Sequence, residues 1–309
     1  MNLSSIKEEW ESGKIDKWLY IEKMYEIHSY LFQYADFIKS TNISNIEISA
    51  GSLIMTFRDS GVKFILCQND KRLVPFEVIN FGDYERPELE MQMKLIKPGI
   101  SILDIGANFG WFSMHIAKKI NDTKVFSFEP VPSTFEYLLK NIELNKIKNI
   151  KCFNFGFADI DGSFKFYVDP ELSANASMVK LSDSNSVVEQ KCIVKKIDDF
   201  VSHNKIPVDF IKCDVEGAEL LVFKGGAKTI SEQQPIVFAE MLRKWSSKFD
   251  YHPNDIISFF KNLNYRCFVI ENNMLKPFDW VDEKTIETNY FFLHEEKHSI
   301  EILNFEILE

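Results

Sequence analysis

A glycine-rich turn between a short apolar strand and a helix-like segment constrains this chain more than any other feature. Residues 101–113 open with an apolar run that carries Asp104, pass Gly106 and Gly110, and continue in a helical pattern. Glycines at such a turn let a ligand lie against bare backbone, and the helix N-terminus aims its N–H groups at that ligand. The segment therefore predicts a ligand-binding strand–turn–helix.

A second apolar strand at residues 125–128 is followed directly by a carboxylate, Glu129, nineteen positions after Gly110. In Rossmann-like folds an acid at the tip of the second strand, about 20 positions after the glycine turn, binds ribose hydroxyls. The two segments together predict a site for a cofactor that contains a nucleoside.

Glycine spacing and charge favour S-adenosylmethionine over NAD as that cofactor. The dinucleotide motif needs a middle glycine so that a pyrophosphate can approach the backbone, and here Asn108 occupies that place. Asp104 would repel a pyrophosphate but suits S-adenosylmethionine, which carries a sulfonium and an ammonium and no phosphate. A dehydrogenase is further disfavoured because no Tyr-x-x-x-Lys pair lies near the site.

Composition and charge argue against a membrane protein, a secreted protein and a nucleic-acid-binding protein. With 45% hydrophobic residues the 309-residue chain can bury a large core, and no apolar stretch approaches the roughly 18 residues of a membrane span. The first ten residues are polar and acidic rather than a secretory signal, so we expect a cytoplasmic protein. A net charge of −10 argues against a nucleic-acid partner.

The five cysteines are odd in number, far apart and never in C-x-x-C spacing. This pattern predicts reduced thiols and argues against a zinc site or a disulfide framework. The cysteines are Cys67, Cys152, Cys192, Cys213 and Cys267.

The first 80 residues predict a small extension of one helix and several strands. Asp16 can cap a helix over residues 16–39, in which apolar residues recur at three- and four-residue steps. We expect this apolar stripe to pack in the core, and a partner site, through which the chain would form a homo-oligomer, is the alternative. Short strands separated by glycine turns follow over residues 44–80.

Strands and helices alternate from residue 81 onward, which predicts an α/β domain over residues 81–309. Such alternation implies right-handed crossovers and a Rossmann-like, doubly wound, mostly parallel sheet. Two last strands, at about 265–270 and 289–293, are expected to form an antiparallel edge. Extra strands at 163–168 and 191–197 flank a polar loop.

With these motifs placed, the chain resembles the FkbM family of S-adenosylmethionine-dependent methyltransferases, from about residue 84 to residue 240. The resemblance implies a class I methyltransferase fold for the α/β domain. Its carriers are Lys97-Pro98-Gly99, Leu103-Asp104-Ile105-Gly106-Ala107-Asn108-Phe109-Gly110, Phe128-Glu129-Pro130, Asn141 with Asn145, Ala158-Asp159 with Gly162, Ile197-Asp198-Asp199-Phe200, Asp209-Phe210-Ile211-Lys212-Cys213-Asp214-Val215-Glu216-Gly217-Ala218-Glu219-Leu220 and Gly225-Gly226-Ala227. Met241-Leu242 departs from the polar or His-containing continuation expected there.

The resemblance also implies cofactor contacts on the first two strands. Gly106 and Gly110 would bring backbone against the methionyl part of the cofactor, while Asp104 would orient its ammonium. Glu129 would take both ribose hydroxyls, since a carboxylate offers two acceptor oxygens. Asn108 is a candidate for a further polar contact. A carboxylate that merely caps the turn is the alternative for Asp104.

Gly156 and Phe157 close the third strand, where the adenine of the cofactor is expected. Phe157 would stack on the adenine ring. Since the chain has 28 Phe, an ordinary core position for Phe157 is equally consistent with the sequence.

Three ionisable groups in five residues, Lys212, Asp214 and Glu216, lie where the fourth strand ends beside the topological switch point. We expect them, with Glu240, to hold the methyl acceptor, and Asp214 also to contact the cofactor. Asp214 is the first candidate for general base or acceptor orienter, ahead of Glu216 and Glu240. A purely structural Lys–carboxylate network is the alternative. The three acids could ligate Mg²⁺, but a metal is not expected.

The most plausible activity is O-methylation of a hydroxyl on a sugar, a surface glycan or another secondary metabolite. A regulatory protein that keeps the cofactor fold without chemistry, and an N-methyltransferase, are the alternatives. The acceptor pocket is expected from residues 1–80 and the polar loop 169–190, which carry no motif that names the acceptor.

Overall fold

An eight-stranded, mostly parallel sheet forms the centre of the molecule. The computed structural model describes residues 2–68, 70–169, 176–180 and 186–307. The strands are β1 Ile43–Ser49, β2 Ser52–Phe57, β3 Lys63–Ile65, β4 Ser101–Ile105, β5 Lys124–Phe128, β6 Ile150–Phe153, β7 Gly156–Phe157, β8 Gly162–Val168, β9 Val188–Lys195, β10 Phe210–Cys213, β11 Ile236–Glu240, β12 Tyr265–Glu271, β13 Met274–Pro277 and β14 Asn289–His294.

The helices precede, connect and follow these strands. They are α1 Leu3–Glu11, α2 Lys17–Phe37, α3 Val74–Phe81, α4 Arg86–Leu95, α5 Trp111–Lys119, α6 Pro132–Asn145, α7 Ile197–Asn204, α8 Glu219–Gly225, α9 Ala227–Gln233, α10 Arg243–Ser246, α11 Pro253–Lys261 and α12 Ser299–Phe305.

The strand order of the central sheet is β13-β12-β14-β11-β10-β4-β5-β6. The five strands from β11 to β6 run parallel, whereas β14 is antiparallel to both β11 and β12. The predicted doubly wound, mostly parallel sheet with an antiparallel edge is therefore confirmed. The strand β13, which extends that edge, has no counterpart in the sequence-based prediction.

The middle strands β4 and β10 are buried along their whole length. Parallel strands covered by helices on both faces carry apolar side chains on both, and most side chains here follow that rule. The charged exceptions are Asp104 and Lys212, which lie directly opposite each other in the register. Buried charges on two adjacent strands must be paired or hydrogen-bonded, and the contacts that do so lie at the candidate site.

A separate three-stranded sheet of order β7-β9-β8 contains the two extra strands that the sequence predicts. β8 and β9 pair as an antiparallel hairpin. Of the polar loop predicted to line the acceptor pocket, residues 170–175 and 181–185 lie outside the described residues. In its described part, Ser177 donates a hydrogen bond from Oγ to the backbone carbonyl of Glu216 over 3.2 Å.

The antiparallel meander β1-β2-β3 packs on α5 and α6 of the large domain. A shared hydrophobic cluster joins side chains of the meander to Met114 on α5 and Tyr137 on α6. Asn141 and Asn145 of α6 accept hydrogen bonds from the backbone of β3, over 2.9 and 2.8 Å. The segments on either side of the boundary predicted at residue 80 thus share one core, and the boundary itself stays a prediction.

The long N-terminal helix α2 is the clearest departure from expectation. None of its 21 residues is buried, so the prediction that its apolar stripe packs in the core is wrong. The short helix α1 lies against its N-terminal half, where Trp10 stacks on Tyr20 at 4.7 Å. Within the described part of the chain, none of the helices is both long enough and apolar enough to cross a membrane.

Candidate functional site

Two adjoining cavities open at the carboxyl ends of the central strands. The larger, of about 570 Å³, is walled by the N-terminal segment on one side and by residues after β10 and β11 on the other. The smaller cleft lies between the ends of β5, β7 and β10. Both are lined by Gly106, Asn108, Asp214 and Glu216, so the two cavities meet at these four residues.

The two glycines of the turn are required by the packing of the protein itself. At Gly106 (φ +76°) an added Cβ would lie 1.8 Å from the carbonyl oxygen of Asp214, and at Gly110 (φ +91°) it would lie 2.7 Å from a methyl of Leu138. No side chain fits at the first position, because the obstacle is backbone. Gly106 lines both cavities, whereas Gly110 lies beneath the turn, away from their linings.

Asp104 is fully buried beneath the turn rather than in a cavity wall. Its Oδ2 accepts a hydrogen bond from the hydroxyl of Ser113 at 2.5 Å, and its Oδ1 lies 3.7 Å from Nζ of Lys212. Burial raises the pKa of Asp104, while the lysine and the serine oppose that rise. The predicted contact of Asp104 with a cofactor ammonium stays a prediction, and it would have to act through the turn.

Lys212 ties the ends of β4 and β10 together. Its ammonium donates to the carbonyl of Gly106 over 2.8 Å and to Oδ2 of Asp214 over 3.2 Å. Burial alone would lower the pKa of Lys212, but the carboxylates of Asp214 and Asp104 raise it above its ordinary value. The lysine is therefore a positive charge held between two carboxylates. Such a Lys–carboxylate network is the structural role predicted from the sequence as the alternative to acceptor binding.

Glu129 lines the smaller cleft, where two backbone amides hold its carboxylate. Its Oε2 accepts from the N–H of Asn108 at 3.0 Å, and its Oε1 accepts from the N–H of Val131 at 2.9 Å. The side chain is only 5% exposed. Burial raises its pKa to about 7 although both amides oppose the rise. Each oxygen keeps a free lone pair, so the carboxylate is oriented for two further donors.

Gly156 and Phe157 line the smaller cleft beside Glu129. They form β7, which pairs with β9 rather than with the central sheet. Phe157 is buried and packs edge-on against Phe128 with ring centroids 4.6 Å apart. Phe157 is thus both a core residue and part of the cleft wall, so neither sequence-based interpretation is excluded.

The predicted acids Asp214, Glu216 and Glu240 come together where the cavities meet. Each can place one carboxylate oxygen so that the three oxygens lie within 4.8 Å of one another. Burial, followed by the charge of Asp214, raises the pKa of Glu216 to about 9 and that of Glu240 well above its ordinary value. The raised pKa values favour the protonated forms of these two glutamates, and a protonated carboxyl is a poor ligand for a hard cation. The expectation that no metal is used stays a prediction.

A fourth acid, Glu85, was not predicted as a site residue. It lies just before α4 with a left-handed backbone (φ 42°) and lines the larger cavity with Tyr84. Burial, followed by the charge of Asp214, raises the pKa of Glu85 to about 7. In the sequence Glu85 is simply an acid directly before Arg86-Pro87 at the start of a helix. That pattern does not indicate that the side chain lines a cavity.

Part of the wall of the larger cavity was also not predicted from the sequence. Arg72 and Lys244 contribute cations and Trp245 an aromatic face, from segments far apart in the chain. Lys244 lies over the ring of Trp245 with Nζ 4.4 Å from the centroid. Since the three residues follow no motif, only the fold brings them together.

Comparison with known proteins gives a family match over this region. A family model described as the methyltransferase FkbM domain matches residues 104–267, more than half of the chain. Methyltransferase 1 of Beauveria bassiana is 28% identical over 142 residues, covering 40% of this chain and 57% of that protein. The hexuronic acid methyltransferase AglP of Haloferax volcanii is 32% identical over 125 residues, covering 40% of this chain and 48% of that protein. The chain thus spans about half the length of these curated relatives.

Two solved structures are also similar. A methyltransferase FkbM from Methylobacillus flagellatus aligns with 70% of this chain and 53% of its own, with a TM-score of 0.40 at 18% identity. Fibrillarin from Aeropyrum pernix, solved with natively bound S-adenosylmethionine, aligns with 82% of this chain and 99% of its own, with a TM-score of 0.38 at 11% identity.

Proposed function

The chain belongs to the FkbM methyltransferase family, and from that premise we propose that it transfers the methyl group of S-adenosylmethionine to a hydroxyl of a sugar or glycan, or of another secondary metabolite. The observation that carries the proposal is the junction of the two cavities at Gly106, Asn108, Asp214 and Glu216. A methyl group passes directly between two molecules only if both reach one point. A cofactor in the smaller cleft and an acceptor in the larger cavity would meet at this junction.

The smaller cleft fits the nucleoside of the cofactor. Glu129 would accept hydrogen bonds from both ribose hydroxyls through the lone pairs that its two backbone partners leave free. Gly156 and Phe157 would contact the adenine. The junction carries Asp214 and Glu216, whose ionised forms would stabilise the sulfonium and ammonium. A negatively charged pyrophosphate would instead be repelled by these ionised acids.

The larger cavity suits a polar acceptor of sugar size. Its volume of about 570 Å³ lies within the usual range of small-molecule sites. Trp111 and Trp245 offer aromatic faces, while Arg72 and Lys244 offer positive charge. A relative is described as a hexuronic acid methyltransferase, and the two cations would accommodate the carboxylate of such a sugar. A hexuronic acid is therefore the acceptor to test first.

Proton removal from the acceptor hydroxyl would fall to the acids at the junction. Asp214 already accepts a hydrogen bond from Lys212, which suits it to orient the acceptor and the cofactor. Glu240 and Glu216 have raised pKa values and become bases when the cofactor's positive charge favours their ionised forms. A positioned general base contributes about 10²–10⁴-fold to rate, and alignment of the reactants supplies much of the rest.

Two measurements test the proposal. In calorimetric titrations we expect micromolar binding of S-adenosylmethionine or S-adenosylhomocysteine and no binding of NAD. We then expect isotopically labelled methyl to pass from the cofactor to a hexuronic acid or a neutral sugar in preference to an amine of similar size.

Binding of NAD without binding of either methionine-derived nucleoside would refute the cofactor assignment. Cofactor binding with transfer only to amines would make the protein an N-methyltransferase. Binding without transfer to any member of a broad acceptor panel would favour a regulatory role.

A further inference from the structure

The helix α2 exposes large apolar side chains over most of its circumference. Nine of its large apolar residues are exposed, among them Trp18 at 75% and Phe32 at 69%. The C-terminal third is barest, because every residue from 30 to 37 is exposed. Its large apolar members are Tyr30, Leu31, Phe32, Tyr34 and Phe37. We call the exposed apolar side chains of Lys17–Phe37 the α2 surface.

Such a helix is not stable in water by itself. In proteins most helical stability comes from packing of an apolar face against other elements rather than from intrinsic helix propensity. α1 covers part of the N-terminal half, where Ile6 is buried and Lys23 pairs with Glu9 at 2.7 Å. Residues 30–37 have no comparable cover within the described chain.

We propose that the α2 surface is the interface through which two copies of this chain form a dimer. A fully buried aromatic side chain removes about 150–250 Å² from water, so the nine residues at their observed exposure offer on the order of 1,000 Å² per copy. A stable interface needs about 800 Å² per partner. The surface is also rich in Tyr, Trp and Phe, the residue types that are enriched at interface cores.

A second copy explains the surface better than a lipid bilayer does. Helices that lie on membranes have a basic face opposite an apolar one, whereas α2 carries Lys17 and Lys23 against Glu22, Glu26 and Asp36, and its apolar residues are not confined to one side. α1 adds more acid than base. An anionic lipid surface would therefore gain little from this hairpin. A two-fold dimer, in contrast, buries the same patch on both partners and needs only self-complementarity.

The test compares the wild-type chain with a variant that places charge on the barest turn, Leu31→Glu with Phe32→Glu. Neither side chain is buried in the single chain, so the variant should fold. The matched control is Ile286→Glu, an 88% exposed apolar residue outside α2. Sedimentation equilibrium over about 1–100 μM should show a dimer for the wild type and the control, and a dissociation constant at least about 100-fold weaker for the double variant.

Other outcomes would overturn the proposal. A wild-type chain that stays monomeric over that range would refute it, and sedimentation of such a monomer with phosphatidylcholine–phosphatidylglycerol vesicles would assign the α2 surface to membranes instead. A double variant that dimerises like the wild type would place the interface elsewhere. If circular dichroism shows that the double variant is unfolded, Tyr34→Glu, one turn on, repeats the test. None of these readouts depends on methyl transfer.

Discussion

Replacement of Lys212 by methionine should destabilise the protein far more than loss of an ordinary lysine. The ammonium is buried, donates to the carbonyl of Gly106 over 2.8 Å, and lies 3.7 Å from the fully buried Asp104. Methionine keeps most of the apolar stem and removes the charge. Removing one partner of a buried ion pair costs about 3–5 kcal/mol, because the other charge is left uncompensated.

The two acids that face Lys212 contribute unequally to this loss. The side chain of Asp214 is 34% exposed, so water replaces the lysine and its share is about 0–1 kcal/mol. Asp104 has no exposed surface and cannot recover solvation. Its carboxyl must then bind a proton in the folded state, so the deficit of the Lys212→Met variant should shrink as the pH falls towards 5.

Denaturant unfolding at pH 7.5 measures the effect. Lys248→Met, at an exposed lysine, should change the free energy of unfolding by less than about 0.5 kcal/mol. Asp104→Asn combined with Lys212→Met removes the stranded charge and should recover more than half of the loss, since a buried pair replaced by neutral groups is often tolerated. A loss below about 1 kcal/mol for Lys212→Met, or no recovery in the double variant, would refute this account of the strand ends.

Four further outcomes are expected. Glu129→Gln must turn an amide NH₂ towards one of the two backbone N–H groups that hold the carboxylate, so cofactor affinity should fall about 10–100-fold by calorimetry; unchanged affinity would move the ribose contact elsewhere. Gly106→Ala should not yield folded protein, because its Cβ would lie 1.8 Å from a backbone oxygen at φ +76°; a well-folded alanine variant would contradict the turn geometry. Burial raises the pKa of Glu85, Glu129 and Glu219 to about 7; the folded state therefore holds protons that the unfolded state has already lost near pH 4–5, and stability is lost as the pH rises through 7. The free energy of unfolding without cofactor should therefore fall from pH 6.5 to pH 8. In this window His115 and His298, whose pKa values burial lowers to about 4, stay neutral in the folded state. A rise in the free energy of unfolding over the same window would count against the assignment. Methyl transfer should be insensitive to EDTA, because Glu216 and Glu240 favour their protonated forms; activity restored only by added Mg²⁺ would reverse the expectation of no metal.

The parts of the fold that the sequence predicts well are those set by neighbours along the chain. The glycine turn and the position of Glu129 after β5 each depend on residues within one strand–helix unit, and both lie where the pattern places them. The antiparallel edge follows from two short apolar strands late in the chain. Such features need no knowledge of what packs against them.

What the sequence does not predict depends on contacts between distant segments. Apolar periodicity along α2 indicates that a surface must be covered, but it does not say whether the cover comes from the same chain, and the core interpretation was wrong for that reason. The motif places Asp104 beside the glycine turn, but its pairing with Lys212 in the interior follows from the register of β4 with β10, which no local pattern predicts. Glu85 and Trp245 come from two segments that are far apart in the chain, and only the fold brings both to the larger cavity.

The proposed roles of the two cavities, with the cofactor in the smaller cleft and the acceptor in the larger, limit what relatives can indicate about the acceptor. All the residues that line the smaller cleft lie within the stretch that matches the family, residues 104–267. The larger cavity takes Phe64, Arg72 and Glu85 from segments that precede that stretch. Relatives whose similarity is confined to the matched part can therefore be compared with this chain over the smaller cleft but not over this wall of the proposed acceptor site. Acceptor choice in this chain should accordingly follow the N-terminal segment, and exchanging Arg72 for glutamate should change the preference between charged and neutral sugars while leaving cofactor affinity unchanged.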